Sequence, residues 1–219
     1  MSGRIFSLNT GKAHTILQNG RERLTAIGKQ PVLLPLQMGE LGLGGDVQVD
    51  KPDHGGVMKA VCCYPREHYE YWERRLGRRL PAAAFGENFT TDGQMEETVW
   101  IGDVFRVGEE AVVEVVQPRG PCATLAAYLE EKQLTVWALE TGFTGWYLRV
   151  LEPGRVAAGD GLTLVERRGS GVSVMDVNRA IWRRGSDAEL TERVLAEELL
   201  AGDWQEQLRR YVAMGAVAR

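Results

Sequence analysis

Cysteine and histidine are scarce in this chain, with three of each among 219 residues. Two of the cysteines, Cys62 and Cys63, are adjacent, so the chain lacks the spaced pairs that cross-link small secreted domains. It also lacks a Cys-x-x-Cys pair and a His-Glu-x-x-His motif, which are frequent zinc-binding patterns. These absences argue against a disulfide-stapled fold and against a zinc site, and we expect a cytoplasmic protein.

Long apolar runs are absent as well. No segment approaches the roughly 20 apolar residues that a membrane helix needs, and residues 1–6 lack the apolar stretch of a signal peptide. The formal net charge of −4 argues against a general nucleic-acid-binding surface. The sequence contains no flavin, haem or iron–sulfur motif. We therefore expect neither a membrane nor a nucleic acid as a partner.

Glycine and proline interrupt the first three quarters of the chain at short intervals. Short apolar and β-branched runs typical of strands lie between them, at residues 3–8, 47–49, 58–63, 99–107, 111–116, 145–151 and 162–167. Short strands at this spacing favour a barrel or a sandwich over a doubly wound sheet. The predicted fold class is mainly β with α.

One helix is predicted inside this β-rich region. Pro65 suits its first position, Tyr69, Trp72 and Leu76 follow at helical spacing, and Gly77 ends the pattern.

The character of the sequence changes after residues 168–171, Arg-Gly-Ser-Gly. Three short amphipathic helices are predicted beyond them, opened in turn by a capping box at Ser173, by Ser186–Glu189 and by Asp203. Helices this short are too small to be stable alone, so we expect them to pack on the barrel or on a partner. The predicted division is a β-barrel domain of residues 1–168 and a three-helix domain of residues 169–219.

The hexapeptide 117–122, Gln-Pro-Arg-Gly-Pro-Cys, holds the third cysteine in a rigid frame. Each proline fixes φ and removes a backbone donor, so the segment suits neither a helix interior nor a central strand. It follows the strand-like run 111–116, which places Cys122 in a stiff loop at a strand end. Arg119 and a helix beginning at the thiol would both favour the thiolate. From these residues alone, Cys122 is a candidate nucleophile, redox switch or metal ligand.

Two glycine-rich stretches, residues 39–46 and 53–60, form a second candidate site. Their spacing matches neither a dinucleotide fingerprint nor a P-loop, but dense glycines let the backbone approach a ligand and bind anions. Lys59 adds a charge for a phosphate, and His54 can donate or shuttle protons. The alternative is a pair of β-turns with an incidental histidine.

Two shorter segments are further candidates. Phe85–Thr90 contains Glu87 and Asn88, an acceptor and an amide that could hydrogen-bond the edge of a heterocycle, with a polar turn as the alternative. In residues 25–31, Lys29 follows a glycine and could reach a phosphate, although loop lysines are more often solvated.

The remaining cysteines and histidines are interpreted as structural. Cys62 and Cys63 lie in an alternating strand and should face opposite sides, one in the core and the other half-exposed. His14 and His68 have no partner that the sequence reveals. The arginine-rich run 73–79 predicts a solvated helix end, with a docking patch for an acidic partner as the alternative.

A series of short motifs occurs in order along nearly the whole chain. They are GKQPV (28–32), GLGGD (42–46), HGGVMKAV (54–61), YPREHYEYW (64–72), FGENFTTDG (85–93), IGDVFRVG (101–108), QPRGPC (117–122), GWYLRVLEPG (145–154) and VSVMDVNRAIW (172–182). Together they resemble the MOSC family, named after the carboxy-terminal part of molybdenum cofactor sulfurases, and within it the YiiM-like branch. The ordered set is far more specific than any single motif.

The resemblance implies a MOSC-type β-barrel with a small C-terminal three-helix domain. It also implies molybdenum cofactor, a pyranopterin whose dithiolene holds the metal and which ends in a phosphate. Cys122 matches the family's protein thiolate ligand to molybdenum, and a soft thiolate suits a metal already bound by dithiolene sulfur. The residues expected to bind the cofactor are Lys29, Gly45, His54, Gly55, Gly56, Lys59, Asn88 and Arg119.

The function implied is that of an oxidoreductase that reduces N-hydroxylated compounds such as hydroxylaminopurines, in detoxification of mutagenic base analogues. In this hypothesis the reduced metal supplies two electrons and takes the oxygen of the N–OH group, while Cys122 anchors and tunes the metal. His54, Asp46 or Glu87 supplies protons, and His54 is the best matched to neutral pH. The electrons would come from an external flavoprotein reductase.

Two other functions stay open at this level. The chain could carry molybdenum cofactor to other enzymes without any turnover of its own. It could instead transfer sulfur through a persulfide on Cys122, although the absence of a pyridoxal phosphate domain leaves no obvious sulfur source. The helical tail could form a homodimer or dock a partner.

Overall fold

A computed structural model of the protein describes residues 2–217, apart from the side chains of residues 52, 53, 216 and 217. Its main element is a closed mixed β-barrel of seven strands, which confirms the expected fold class. The strands are β1 (Ser2–Thr10), β2 (His14–Gln18), β3 (Arg21–Thr25), β4 (Gln30–Pro31), β5 (Leu36–Gly39), β6 (Gly42–Leu43), β7 (Val61–Pro65), β8 (Phe89–Asp92), β9 (Asp103–Val107), β10 (Ala111–Pro118), β11 (Trp146–Glu152), β12 (Gly154–Val156) and β13 (Gly161–Arg167).

The barrel closes because β1 pairs with two strands. Around the ring the order is β13-β9-β10-β11-β7-β8-β1, and β1 pairs with both β8 and β13. β7 and β8 are parallel, whereas the other ring pairs are antiparallel. β4 extends the sheet beside β1, a small sheet has the order β12-β5-β6, and β2 and β3 form a separate hairpin.

β10 connects the barrel core to the candidate site. All its residues are buried, as its run of β-branched side chains predicts, and Val113 and Val115 pack in the barrel core. At its end Pro118 pairs with Trp146 on β11, and the next residue of β11, Tyr147, pairs with Cys62 on β7. Three neighbouring strands therefore bring the segment before Cys122 next to Tyr147 and Cys62.

The helices surround the barrel. They are α1 (Lys51–His54), α2 (Glu67–Leu76), α3 (Ala123–Tyr128), α4 (Leu134–Thr141), α5 (Val174–Trp182), α6 (Ala188–Leu195) and α7 (Gly202–Val217). α2 ends at Gly77 as predicted, with a left-handed φ of 67° that favours glycine. Its predicted start at Pro65 is wrong, because Pro65 is the last residue of β7 and the helix begins at Glu67. α4 was not predicted. In the part of the chain that the structure describes, none of the helices combines the length and the apolar character that crossing a membrane requires.

The three C-terminal helices pack against the barrel. α5 begins with the predicted capping box, in which Ser173 and Asp176 bond each other's backbone N–H groups. Val174, Ile181 and Leu208 are buried in the same apolar cluster as the inward-facing residues of the barrel strands. Full burial of each such side chain stabilises the fold by about 1.5–3 kcal/mol. The division into domains at residue 168 stays a prediction.

Candidate functional site

A solvent-open cleft lies beside the ends of β7, β10 and β11. One part of its lining comes from residues 23–27 of the β2–β3 hairpin and the segment after it, and another from the loop 46–50. Arg23 and Asp50 join these two parts by an ion pair of 2.7 Å. Seven of the predicted site residues line the cleft together: Lys29, Asp46, His54, Lys59, Asn88, Arg119 and Cys122.

Cys122 stands directly before α3 with an extended backbone, at φ −124° and ψ 162°. Burial opposes ionisation of its thiol. A hydrogen bond from His54, the charge of Arg119 and the backbone N–H of Leu125 outweigh burial and lower the pKa of Cys122 to about 6. The sulfur is therefore mainly thiolate at neutral pH, the form that binds soft metals.

Arg119 lies next to the sulfur of Cys122, and only 5% of Arg119 is exposed. Its backbone N–H donates to the carbonyl of Gly145, which fixes the end of β10 against the start of β11. Burial opposes the charge of the guanidinium, but the facing sulfur of Cys122 raises the pKa of Arg119. A buried cation needs such a counter-charge. The thiolate and the guanidinium therefore stabilise each other.

His54 and Tyr147 meet beside Cys122. Nδ1 of His54 lies 3.2 Å from the hydroxyl oxygen of Tyr147, which also hydrogen-bonds Arg119. Burial raises the pKa of Tyr147 far above its usual range, so the side chain stays a neutral phenol. Tyr147 was not among the predicted site residues, because an alternating strand residue carries no local sign of a partner 93 positions away.

Asp46 organises the polar side of the cleft. Both carboxylate oxygens lie 2.6 Å from Nζ of Lys29, Oδ2 accepts from Asn88 at 2.9 Å, and Oδ1 accepts from the backbone N–H of Gly11 at 2.7 Å. Oδ1 of Asn88 in turn accepts from the backbone N–H of Cys62 at 3.1 Å. Asp46 thus holds Lys29 and Asn88 in place, and its predicted catalytic role stays a prediction.

The family model of the MOSC domain matches residues 50–163 of the sequence, which is more than half of the chain. This range contains His54, Arg119, Cys122 and Tyr147. The chain belongs to the MOSC family. The uncharacterized protein YflK of Bacillus subtilis is 44% identical to it over 201 residues, which are 92% of this chain and 90% of that protein. Protein YiiM of Escherichia coli is 38% identical over 196 residues, 88% of this chain and 87% of that protein.

Solved structures agree with the sequence relatives. YiiM from Geobacillus stearothermophilus has a TM-score of 0.79 and 35% identity to this MOSC chain, over 95% of this chain and 98% of that one. The protein is therefore YiiM-like, as its ordered motifs predict. A reductase of Gibberella moniliformis is 33% identical over 174 residues, which are 78% of this chain but 31% of that protein.

Glu87 of this MOSC chain is fully buried and is not among the described residues that line the cleft. Its Oε1 accepts from the hydroxyls of Tyr69 at 2.6 Å and Thr90 at 2.8 Å, and its Oε2 accepts from the backbone N–H of Phe85 at 3.1 Å. Burial raises the pKa of Glu87. The carboxylate therefore fixes the conformation of its loop, and the residues on either side of Glu87 line the cleft. Its catalytic role stays a prediction, and this geometry does not favour it.

The predicted glycines lie in turns beside the cleft. Gly45 and Gly56 both have φ of 83°, a backbone conformation that favours glycine. Gly45 precedes Asp46 and Gly55 follows His54, so the turns deliver these two side chains to the MOSC cleft. Direct contact of the glycine backbones with a phosphate stays a prediction.

The structure corrects one expectation for the adjacent cysteines. They do face opposite sides of β7, since Cys63 packs in the barrel core while Cys62 lines the cleft. Both are buried, at 1% and 6% exposure, so neither is half-exposed. Burial raises the pKa of Cys62 to about 12 and raises that of Cys63 as well. The cleft therefore contains one thiolate, Cys122, and one neutral thiol, Cys62.

The donor set of the cleft fits molybdenum cofactor chemically. Within the described residues, no group of three or more His, Cys, Asp and Glu side chains could hold a bare metal ion. The cleft offers one thiolate together with the cationic side chains of Lys29, Lys59 and Arg119, of which Lys29 is paired with Asp46. This set suits a metal ion most of whose ligands are supplied by an anionic cofactor.

Proposed function

We propose that this MOSC protein is a molybdenum-cofactor-dependent reductase of N-hydroxylated compounds, with hydroxylaminopurines as its substrate class and detoxification as its role. The observation that carries the proposal is the low pKa of Cys122 in a cleft lined with cationic side chains. Burial in the same cleft raises the pKa of Cys62 instead, so the ionisation of Cys122 reflects its particular neighbours. One relative is named a reductase, which agrees with the proposal.

Each cationic residue has a role in holding the cofactor. Cys122 would ligate the metal, and Arg119 keeps its sulfur ionised. Lys59 and Lys29 would face the phosphate and the pterin, with Lys29 oriented by Asp46. When bound, the cofactor supplies the two electrons that reductive cleavage of an N–O bond requires.

The reaction also consumes two protons, because the products are an amine and water. His54 is the proton donor that the geometry supports best, since its imidazole hydrogen-bonds the Cys122 sulfur inside the cleft. The two oxygens of Asp46 are already engaged by Lys29, Asn88 and Gly11. We therefore assign proton delivery to His54 and orientation to Asp46.

The electron donor would be a separate protein. The match to the reductase of Gibberella moniliformis covers 31% of that protein. We propose that an external flavoprotein in the cytoplasm supplies the electrons to this chain.

Metal content and turnover test the proposal together. The protein is made in a host that synthesises the cofactor, and molybdenum per chain and reduction of 6-hydroxylaminopurine with a chemical electron donor are measured. We expect the wild type to contain molybdenum and to turn over, and Cys122→Ala to lose both. Cys62→Ala is the matched control, because it removes the neutral thiol from the same cleft and should keep both.

The other outcomes separate the alternatives. Full activity in Cys122→Ala would overturn the ligand assignment. Bound molybdenum without turnover of any N-hydroxylated compound would favour the alternative in which the protein carries the cofactor to other enzymes. A persulfide on Cys122 in protein without molybdenum would favour sulfur transfer.

A further inference from the structure

The loop 142–145 connects α4 to β11 and holds the backbone of Arg119. The carbonyl of Gly145 accepts from the backbone N–H of Arg119 at 3.0 Å and from the hydroxyl of Thr144 at 3.0 Å. Gly145 has a left-handed φ of 72°, and a Cβ on it would lie 2.1 Å from the carbonyl oxygen of Cys63, so only glycine fits here. The position of the Arg119 backbone therefore depends on how this loop is held.

Glu96 fixes the backbone of the loop from one side. Its carboxylate is fully buried, and Oε1 accepts from the backbone N–H groups of Thr144 at 3.0 Å and Gly145 at 2.8 Å. Oε2 lies 2.7 Å from Nε2 of His68, which is buried on α2. These bonds engage the backbone donors of the loop, and they leave the orientation of the Gly145 carbonyl to other groups.

Asn178 reaches the same loop from α5, one of the three C-terminal helices. It is fully buried, and its Nδ2 donates to the carbonyl of Gly142 at 3.0 Å and to Oγ1 of Thr144 at 2.8 Å. The directions are fixed, because a carbonyl only accepts and the single hydroxyl proton of Thr144 is engaged by Gly145. Hydrogen bonds therefore run one way, from Asn178 through Thr144 to the carbonyl that also accepts from Arg119.

We infer that Thr144 and Asn178 are positioning residues that act on the cleft through the backbone of Arg119. They orient the carbonyl of Gly145 to which Arg119 is bonded, and Arg119 lines the cleft three residues before Cys122. The C-terminal helix α5 is then part of the structure that supports the candidate site. The hydrogen bonds are this chain's own, whereas their consequence for turnover rests on the proposed function.

Hydrogen exchange of the full chain without cofactor tests the inference, with the amide of Arg119 as the reporter. Few other amides contribute in the segment 117–122, because Pro118 and Pro121 have none. Thr144→Val keeps the shape of the side chain and removes its hydroxyl. We expect it to speed exchange in peptides covering 117–122 about two- to tenfold relative to peptides from β9, the effect of losing one neutral hydrogen bond. Mass spectrometry measures both sets of peptides.

Two variants separate the loss of the hydrogen bond from a loss of stability. Thr144→Ser keeps the hydroxyl and should exchange like the wild type. Val177→Ala removes core packing next to Asn178 on α5 but keeps every hydrogen bond of the loop. It should speed exchange in the segment 117–122 and in β9 alike.

Asn178→Ala removes the first donor and should reproduce the local effect of Thr144→Val. Unchanged relative exchange in Thr144→Val, or an equal rise in Thr144→Ser, overturns the inference. If these variants do not fold, the wild type decides by NMR, since rapid exchange of the Arg119 amide overturns the inference and a protected amide supports it.

Turnover gives a second readout. In cofactor-loaded protein, Thr144→Val should lower kcat about two- to tenfold with little change in KM, and Thr144→Ser should restore it. An equal loss of kcat in Val177→Ala would show an effect of stability alone and overturn the positioning role.

The two proposals fail separately. If the loaded wild type shows no reductase activity, the proposed function fails while the exchange result still stands. If the wild type is active and exchange in the segment 117–122 does not depend on Thr144, the inference alone fails.

Discussion

Lys29 and Asp46 form a buried ion pair, in which Nζ lies 2.6 Å from each carboxylate oxygen and the side chains are 9% and 4% exposed. Removing one member of such a pair leaves the other charge buried without compensation. We expect Asp46→Asn to lower the free energy of unfolding by about 3 kcal/mol, measured by urea denaturation.

Glu206→Gln is the control for this measurement. Glu206 pairs with Arg210 on the exposed surface of α7, where an ion pair contributes less than about 1 kcal/mol. Equal losses in the two variants would show that the Lys29–Asp46 pair does not stabilise the cleft.

The ionisation of Cys122 can be followed by its reaction with iodoacetamide in protein without cofactor. Because only the thiolate reacts and the pKa of Cys122 is lowered to about 6, the rate should rise through a midpoint at about pH 6 and fall as the pH is lowered below it. Mass spectrometry locates the modified residue. His54→Gln removes a hydrogen bond to the sulfur and should move the midpoint to higher pH.

Cys62 is the internal control in the same experiment, since its pKa of about 12 keeps it a thiol over the whole range. Modification of Cys62 at the same rate as Cys122, or a Cys122 midpoint near the ordinary thiol value of about 8.5, would contradict the description of the cleft.

The ion pair between Arg23 and Asp50 connects the β2–β3 hairpin to the loop 46–50 across the cleft lining. Both side chains are partly exposed, so the pair contributes about 0.2–1 kcal/mol. We expect Arg23→Ala to speed hydrogen exchange of the hairpin amides about two- to fivefold, with little change in Tm. Mass spectrometry of peptides from residues 14–25 measures this.

Glu22→Ala is the matched control. Glu22 is exposed, lies next to Arg23 in the hairpin, and forms no ion pair with any residue that the structure describes. Hairpin exchange that is equal in both variants would mean that the pair does not hold the hairpin in place.

The shared core of the barrel and the C-terminal helices leads to a prediction about unfolding. Val174, Ile181 and Leu208 are buried together with the barrel residues, so the helices cannot detach without exposing both surfaces. Urea unfolding followed by circular dichroism and by tryptophan fluorescence should give coincident single transitions. Two separated midpoints would instead support an independent domain of residues 169–219.

Local signals predicted much of this fold. The apolar run 111–116 and the capping box at Ser173 each act within a few residues, and each has its predicted form. The segment 117–122 was expected to lie outside a central strand, but β10 continues through Gln117 and Pro118, which pair with β11. The low pKa of Cys122 was predicted from Arg119 in the same local frame, but the largest contribution that lowers it is the hydrogen bond from His54, which belongs to a distant segment.

What the sequence did not reveal depends on contacts between distant segments. The hairpin β2–β3 is mostly exposed and lacks an alternating pattern, so nothing in residues 14–25 marks it as a wall of the cleft. His68 has a buried partner, Glu96, at 2.7 Å, although the sequence suggested none. Tyr147 and the engaged carboxylate of Glu87 likewise become visible only when the barrel closes.

The cleft has two walls of different origin, and this difference makes the protein a practical starting point for directed evolution. Arg119, Cys62 and Tyr147 belong to, or directly follow, strands that share the barrel core, whereas the hairpin β2–β3 forms a sheet of its own. Arg23 is an exception among the exposed residues of the hairpin, because its partner Asp50 directly precedes α1 and His54. Libraries at the other exposed residues of the hairpin can therefore change what enters the cleft while the thiolate and its partners keep their geometry. The selectivity of the cleft for ligands should be the trait that diversifies most readily in this scaffold, and the ionisation of Cys122 the trait that changes least.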